Sequence, residues 1–312
     1  MTLFNNTFRV AVTNTRRQLR NLLYSTDREG RVAELVLRIF LGIRRIESQF
    51  LVVAFCLTQR ARPAFLGRRR WTKRLDKEIA FIVGKGPSAQ SLNTEQLALV
   101  TRSFSIALND AIISEVEPSL RLREQWRAAD GDPELLELGF PSAGPNTETL
   151  IHITVRAGAE PGLAPSPPQN VSHPRTYLYS STNFGTASAV KAAEHFVRAA
   201  LRPSSLTPSV VTGSQASLLR AIWLLLRWGY KRIVLIGCEL SEPPPNGTGR
   251  RLHKTAISRS PTQIPVQDLI KSISQELTRQ SGPVILTSSP GGVLDGIIPR
   301  FTWSLSARRG WW

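Results

Sequence analysis

The stretch Ile79-Ala80-Phe81-Ile82-Val83-Gly84-Lys85-Gly86-Pro87-Ser88 constrains the rest of the chain more than any other. Its first five residues are apolar and mostly β-branched or aromatic, which reads as a buried strand. They run directly into Gly-x-Gly-Pro-Ser, and a polar helix start follows near Asn93. Gly84 and Gly86 carry no Cβ, so a phosphate could come close to the backbone N–H groups there. Pro87 presets φ for a helical entry, and Ser88 can cap orphan N–H groups or bind a phosphate oxygen. Strand, glycine turn and helix together make the usual anion site of an α/β sheet. Many strand-to-helix turns use glycine for purely steric reasons, so both readings stand at this point.

Further strands and helices follow in alternation. The sequence predicts a helix over 93–100 and a strand over 104–108 that ends on Asn109-Asp110. Polar residues at the carboxyl end of a parallel strand sit where such sheets bind ligands. Residues 118–126 read as a third strand and its exit, and 150–155 as a fourth with His152 inside it, expected to be structural. The segment 157–174 holds five prolines and reads as a surface excursion; a strand over 176–179 then exits through Ser180-Ser181-Thr182-Asn183. A helix over 187–201 carries His195 on its side.

The second informative stretch begins at Thr212-Gly213-Ser214, small polar residues placed at the positive start of a helix over 216–228. Gly229 stands where a C′ glycine belongs, and a basic turn leads to a strand over 233–236 ending on Gly237, Cys238 and Glu239. A loop over 243–249 precedes Arg250, Arg251 and His253, then a helix over 266–280, a strand over 284–286 and a turn over 288–292. Three strand ends, 84–88, 109–110 and 237–241, are thus directed to one crevice.

Charge separates the chain into parts. Residues 1–75 contain 15 Arg and 1 Lys against 4 acids, a net +12, whereas the remainder carries only +5. A nucleic-acid enzyme more often spreads its basic charge around the working cleft, so nucleic acid is the least favoured partner. A basic arm over 1–76 with an amphipathic helical pattern over 32–57 fits either an anionic membrane face or a packed helix. Its longest apolar run, eight residues over 50–57, is too short to span a bilayer. The tail over 301–312 is aromatic and basic. Cys56 and Cys238 both lie in apolar runs and read as small buried hydrophobes in a reducing, cytoplasmic compartment, with no zinc or disulfide framework.

Taken together, Val83-Gly84-Lys85-Gly86-Pro87-Ser88 and the segment 212–241 resemble two related families. These are the bacterial sialyltransferases of glycosyltransferase family 42 and proteins with a 6-hydroxymethylpterin-diphosphokinase (MptE-like) domain. The strand ending in Asn109 and the helix, strand and Ser-Pro segment over 266–290 add to the likeness, which covers roughly 79–295. The resemblance implies an α/β fold, a Rossmann-like mostly parallel sheet with helices on both faces, over 77–300. It further implies a metal-free transfer from a nucleotide-linked sugar donor, cytidine-monophosphate-linked in the sialyltransferases, to a glycan acceptor. Carried over by position, Gly84, Gly86, Pro87 and Ser88 face the nucleotide phosphate or ribose, and Lys85 in the same turn could pair with a phosphate as a point charge. Asn109 binds the base or sugar side, Thr212, Gly213 and Ser214 line the site, and Glu239 sits at the family's acidic strand end; Asp110 and Gly237, at the same strand ends, complete the candidate nucleotide-binding set. The chain departs from the family where an Asn between the glycines is Lys85, an Arg is Val210 and a Tyr is Ser241. The family's catalytic histidine aligns near Gln263, which leaves His253, in the same loop region, as the candidate base. An MptE-like diphosphokinase and a non-catalytic member of the group are the alternatives.

Overall fold

In the computed structural model, residues 77–109, 111, 116–124, 147–152, 176–183, 188–201, 209–212, 216–240, 264–289 and 291–303 are described. They form an α/β body around one parallel sheet. Its eight strands are β1 (Ile79–Val83), β2 (Phe104–Leu108), β3 (Leu120–Glu124), β4 (Glu148–His152), β5 (Thr176–Asn183), β6 (Ser209–Thr212), β7 (Arg232–Ile236) and β8 (Val284–Thr287). The spatial order is β6-β5-β4-β3-β2-β1-β7-β8. Every pairing between neighbours is parallel. The chain therefore starts near one side of the sheet, steps outward strand by strand to β6, and then returns across it to place β7 on the far side of β1.

Among the described residues four α-helices accompany the sheet: α1 (Thr94–Arg102), α2 (Ala189–Leu201), α3 (Ser217–Trp228) and α4 (Val266–Arg279). The period-two alternation of the central strands decides which face each helix covers. Ala80 and Ile82 of β1, with Ile233 and Leu235 of β7, join the large cluster that holds the buried residues of α2, α3 and α4. Phe81, Val83, Val234 and Ile236 point the other way, onto Val100 of α1 and Phe301. Both faces of β1 and β7 are thus covered, which explains their nearly unbroken apolar runs. Helix α3 is buried at every residue from Leu218 to Trp228, as befits an element that crosses beneath β1, β2 and β3.

Local chemistry sets the helix ends. Asn93 and Gln96 form a reciprocal capping box, each side chain accepting from the other's backbone N–H at 2.9 Å. At the far end of α3, Gly229 adopts φ 87°, and Tyr230 N–H reaches back to Leu225 O at 3.1 Å, closing a Schellman motif. Tyr230 then stacks on Phe104, tying the turn to β2.

Two departures from the sequence reading concern the distant edge of the sheet. The residues Ser180-Ser181-Thr182-Asn183 are not an exit: they continue β5 and pair with a strand the sequence reading did not include, β6. Phe301 and Trp303 pack with Phe81, so the compact body extends through residue 303. No helix among the described residues is long and apolar enough to cross a membrane.

Candidate functional site

The reversal of strand order falls between β1 and β7. From β1 the chain leaves to α1 on one face, and into β7 it arrives from α3 on the other. Where neighbouring connections part in this way, the carboxyl edge of a parallel sheet opens a crevice. The register sets Val83 beside Ile236, so Gly84 and Gly237 follow level with each other.

Those two strand exits are hydrogen-bonded together. Gly84 N–H donates to Ile236 O at 2.7 Å and Gly86 N–H to Gly237 O at 2.8 Å, continuing the ladder past the end of β1. Ser88 N–H donates to Glu239 Oε1 at 3.0 Å, and Gly237 N–H donates back to Ser88 Oγ at 2.8 Å. The Ser88 and Ser289 hydroxyls are hydrogen-bonded to each other at 2.7 Å, which draws the segment after β8 into the same network. A Cβ on Gly84 would lie 2.1 Å from Gly237 O, and one on Gly86 would lie 1.4 Å from Glu239 Oε2. The glycines are therefore required by the close passage of two turns. The N–H groups of Gly84, Gly86 and Ser88 are already spent within the protein, so a phosphate resting on this turn would meet its flank and Lys85.

Glu239 is the acidic member of the network. It is 8 % exposed, and its Oε2 finds no hydrogen-bond partner among the described residues. Gly292 presses against its Cα, where an added Cβ would come within 3.1 Å, and Val293 N–H donates to its carbonyl at 2.9 Å. Backbone conformations here are unusual: Gly237 has φ 65° and Leu240 φ 55°, a region that non-glycine residues seldom adopt. Cys238 between them is buried, and burial first, then the neighbouring Glu239 charge, pushes its thiol up to about 12.

Asn109 stands on the other flank of β1. It too has a left-handed backbone, φ 54°, which asparagine tolerates better than most residues. Its N–H donates to Leu122 O at 2.7 Å, and its side-chain Nδ2 reaches Ser217 Oγ at 3.4 Å. Ser217 is the first residue of α3, and Ala216 before it supplies no side-chain cap. The positive end of α3 therefore opens beside Asn109. Lys85 is exposed at the mouth of the turn. From β3, Arg121 Nη1 donates to Asn109 O at 3.4 Å and to Ala111 O at 3.2 Å.

Of the residues expected in the site, Gly84, Gly86, Ser88, Gly237 and Glu239 come together directly. Lys85 and Pro87 share their turn, and Asn109 lies across β1 from the β7 exit. Thr212 ends β6, the last strand before α3. Asp110, Gly213, Ser214 and His253 lie outside the described residues, as do Arg250, Arg251, the arm over 1–76, the excursion over 157–174 and residues 304–312. Arg121, Ser217, Ser289 and Gly292 were not singled out from the sequence. Ser289 and Gly292 sat in a segment recognised only as a turn, and Arg121 in a strand whose alternation offered no hint of what its guanidinium would meet. Among the described residues no group of three or more His, Cys, Asp or Glu side chains is placed to hold a metal ion. The chain matches no known protein-family model and no curated protein.

Proposed function

We propose that the chain is a nucleotide-sugar-dependent glycosyltransferase, sialyltransferase-like in its chemistry, whose donor lies at the carboxyl edge of the sheet. One observation carries this reading. The strand-order reversal, the β1 exit turn, Asn109 and the start of α3 all lie along the carboxyl edge of the sheet. In this reading the phosphate of a cytidine-monophosphate-linked donor lies toward the start of α3, with the Lys85 ammonium as a point charge beside it. The Asn109 amide, able both to donate and to accept, faces the base or the sugar. Transfer forms a bond from a glycan hydroxyl oxygen to the anomeric carbon while the bond from that carbon to the phosphate oxygen breaks. The electron pair leaves with the nucleotide monophosphate, and the hydroxyl proton goes to a general base. His253 is the base in this proposal. The positive end of α3 and Lys85 stabilise the charge that grows on the departing phosphate. The basic arm holds the enzyme at an anionic membrane surface, where a glycan acceptor would be assembled.

Calorimetric titration of the full chain with cytidine monophosphate tests the binding step, and binding is expected. His253→Ala is expected to abolish transfer and leave nucleotide binding intact. Failure of cytidine, adenosine, guanosine and uridine nucleotides alike to bind would end the proposal.

A second reading has an observation of its own. The N–H groups that a phosphate cradle would offer at Gly84, Gly86 and Ser88 are engaged with the β7 exit, which supports a non-catalytic member of the group. The same titration separates the two readings. The remaining alternative, a diphosphokinase, requires Mg²⁺ for its nucleoside triphosphate, so activity undiminished by chelation would exclude it.

A further inference from the structure

We infer that Arg121 is a positioning residue, one that aims the Asn109 amide at the nucleotide without touching the nucleotide itself. The inference rests on the nucleotide-binding reading above. Arg121 is 5 % exposed, the second residue of β3, between Leu120 and Leu122, which are fully buried. An interior strand position of this kind ordinarily takes an apolar side chain, because a buried guanidinium must find hydrogen-bond partners to offset its lost hydration. Two of the partners Arg121 finds are the carbonyls of Asn109 and Ala111, at 3.4 and 3.2 Å. These oxygens bracket the turn by which the chain leaves β2. The neighbouring residue on β3 holds the same turn from its other side, Leu122 O accepting from Asn109 N–H at 2.7 Å.

The result is an asparagine fixed at φ 54° with its amide turned toward Ser217 and the start of α3. An unsupported turn would populate that left-handed conformation only in part, and a side chain that swings with its backbone loses the geometry that makes it useful. A charged donor set onto two consecutive-turn carbonyls removes that freedom. Arg121 thus spends a costly core position on one strand exit, the exit that carries a candidate ligand-binding amide.

The test is a double-mutant cycle on the full-length chain, reading the affinity for cytidine monophosphate by calorimetry and the fold by thermal unfolding. Asn109→Gly keeps the left-handed turn accessible and removes the amide; Arg121→Met keeps bulk on the sheet and removes the donors. Each single change is expected to weaken binding about tenfold, the size of one good hydrogen bond. The double variant is expected to weaken it by about the same tenfold, because the second change has nothing left to act on. Arg121→Lys retains one cationic donor and is expected to recover most of the affinity, which a loss of packing alone would not predict. If Arg121→Met does not fold, Arg121→Lys and Arg121→Gln complete the cycle.

Independent effects, with the double variant near a hundredfold, would overturn the positioning role and leave the nucleotide site standing. Wild-type affinity in Arg121→Met, or in Asn109→Gly, would overturn it likewise. If the unaltered chain binds no nucleotide, the reading of the site fails first and this role falls with it.

Discussion

At Gly86 the first obstacle to an added methyl group is a side chain that can move, whereas at Gly84 it is backbone that cannot. A Cβ on Gly86 runs first into the end of the Glu239 side chain, which can rotate away if it gives up the Ser88 N–H, and then into Gly237 O at 2.9 Å, which cannot. A Cβ on Gly84 runs into Gly237 O, a backbone atom fixed by its own hydrogen bond. Gly86→Ala is therefore expected to destabilise the fold by about 1–3 kcal/mol, the usual range for overpacking, and Gly84→Ala by more. Urea unfolding measures both. Glu239→Ala placed in the Gly86→Ala chain should return part of the loss; if it returns none, the carboxylate is not what the methyl strikes. The two glycines were conspicuous in the sequence as a candidate phosphate cradle. Their partners, Gly237 and Glu239, lie about 150 residues away, so no local pattern could show that the turn's N–H groups were already taken.

The best-read elements were those whose ends carry their own chemistry. The expected helix start at Asn93 is a capping box built from two side chains three residues apart. The expected C′ glycine at 229 is a left-handed residue closing a Schellman motif. Gly229→Ala forces a Cβ into that conformation and is expected to cost about 1 kcal/mol, seen as a lowered midpoint with an unchanged denaturant slope. A midpoint equal to that of the unaltered chain would mean that the turn relaxes to another geometry. The outer strands were harder to read. Strand β6 is only Ser209-Val210-Val211-Thr212, too short for alternation to register, and the end of β5 is Ser180-Ser181-Thr182-Asn183, whose polarity imitates a loop. Their pairing joins segments that are far apart in the chain, and single-segment patterns do not encode a partner.

For the molecule as a whole, the packed faces of the sheet control how it responds to alkali and to thiol reagents. The Cys238 thiol is pushed from its ordinary 9.0 up to about 12 by burial and then by Glu239, and burial also raises the Tyr230 hydroxyl. The folded state thus holds protons that the unfolded chain would release. The stability linked to these groups is complete below their ordinary values and is lost as the pH rises toward the folded ones. Stability measured in a pH series is expected to decline from about pH 9 upward, where an unhindered thiol begins to ionise. In a Cys56→Ser chain, Cys238 should resist an aromatic disulfide reagent at about pH 8 until the protein is unfolded. Rapid labelling of the native protein would contradict the burial of that edge. The strand order has a consequence for synthesis on the ribosome as well. β1 pairs at once with β2, yet its other neighbour is β7, translated after all of β2 to β6. During that interval the nascent sheet exposes an apolar edge along Ile79–Val83, open to any extended segment that comes near. A chain cut short before residue 232 would keep that edge permanently, and it would be expected to be captured by chaperones or to precipitate.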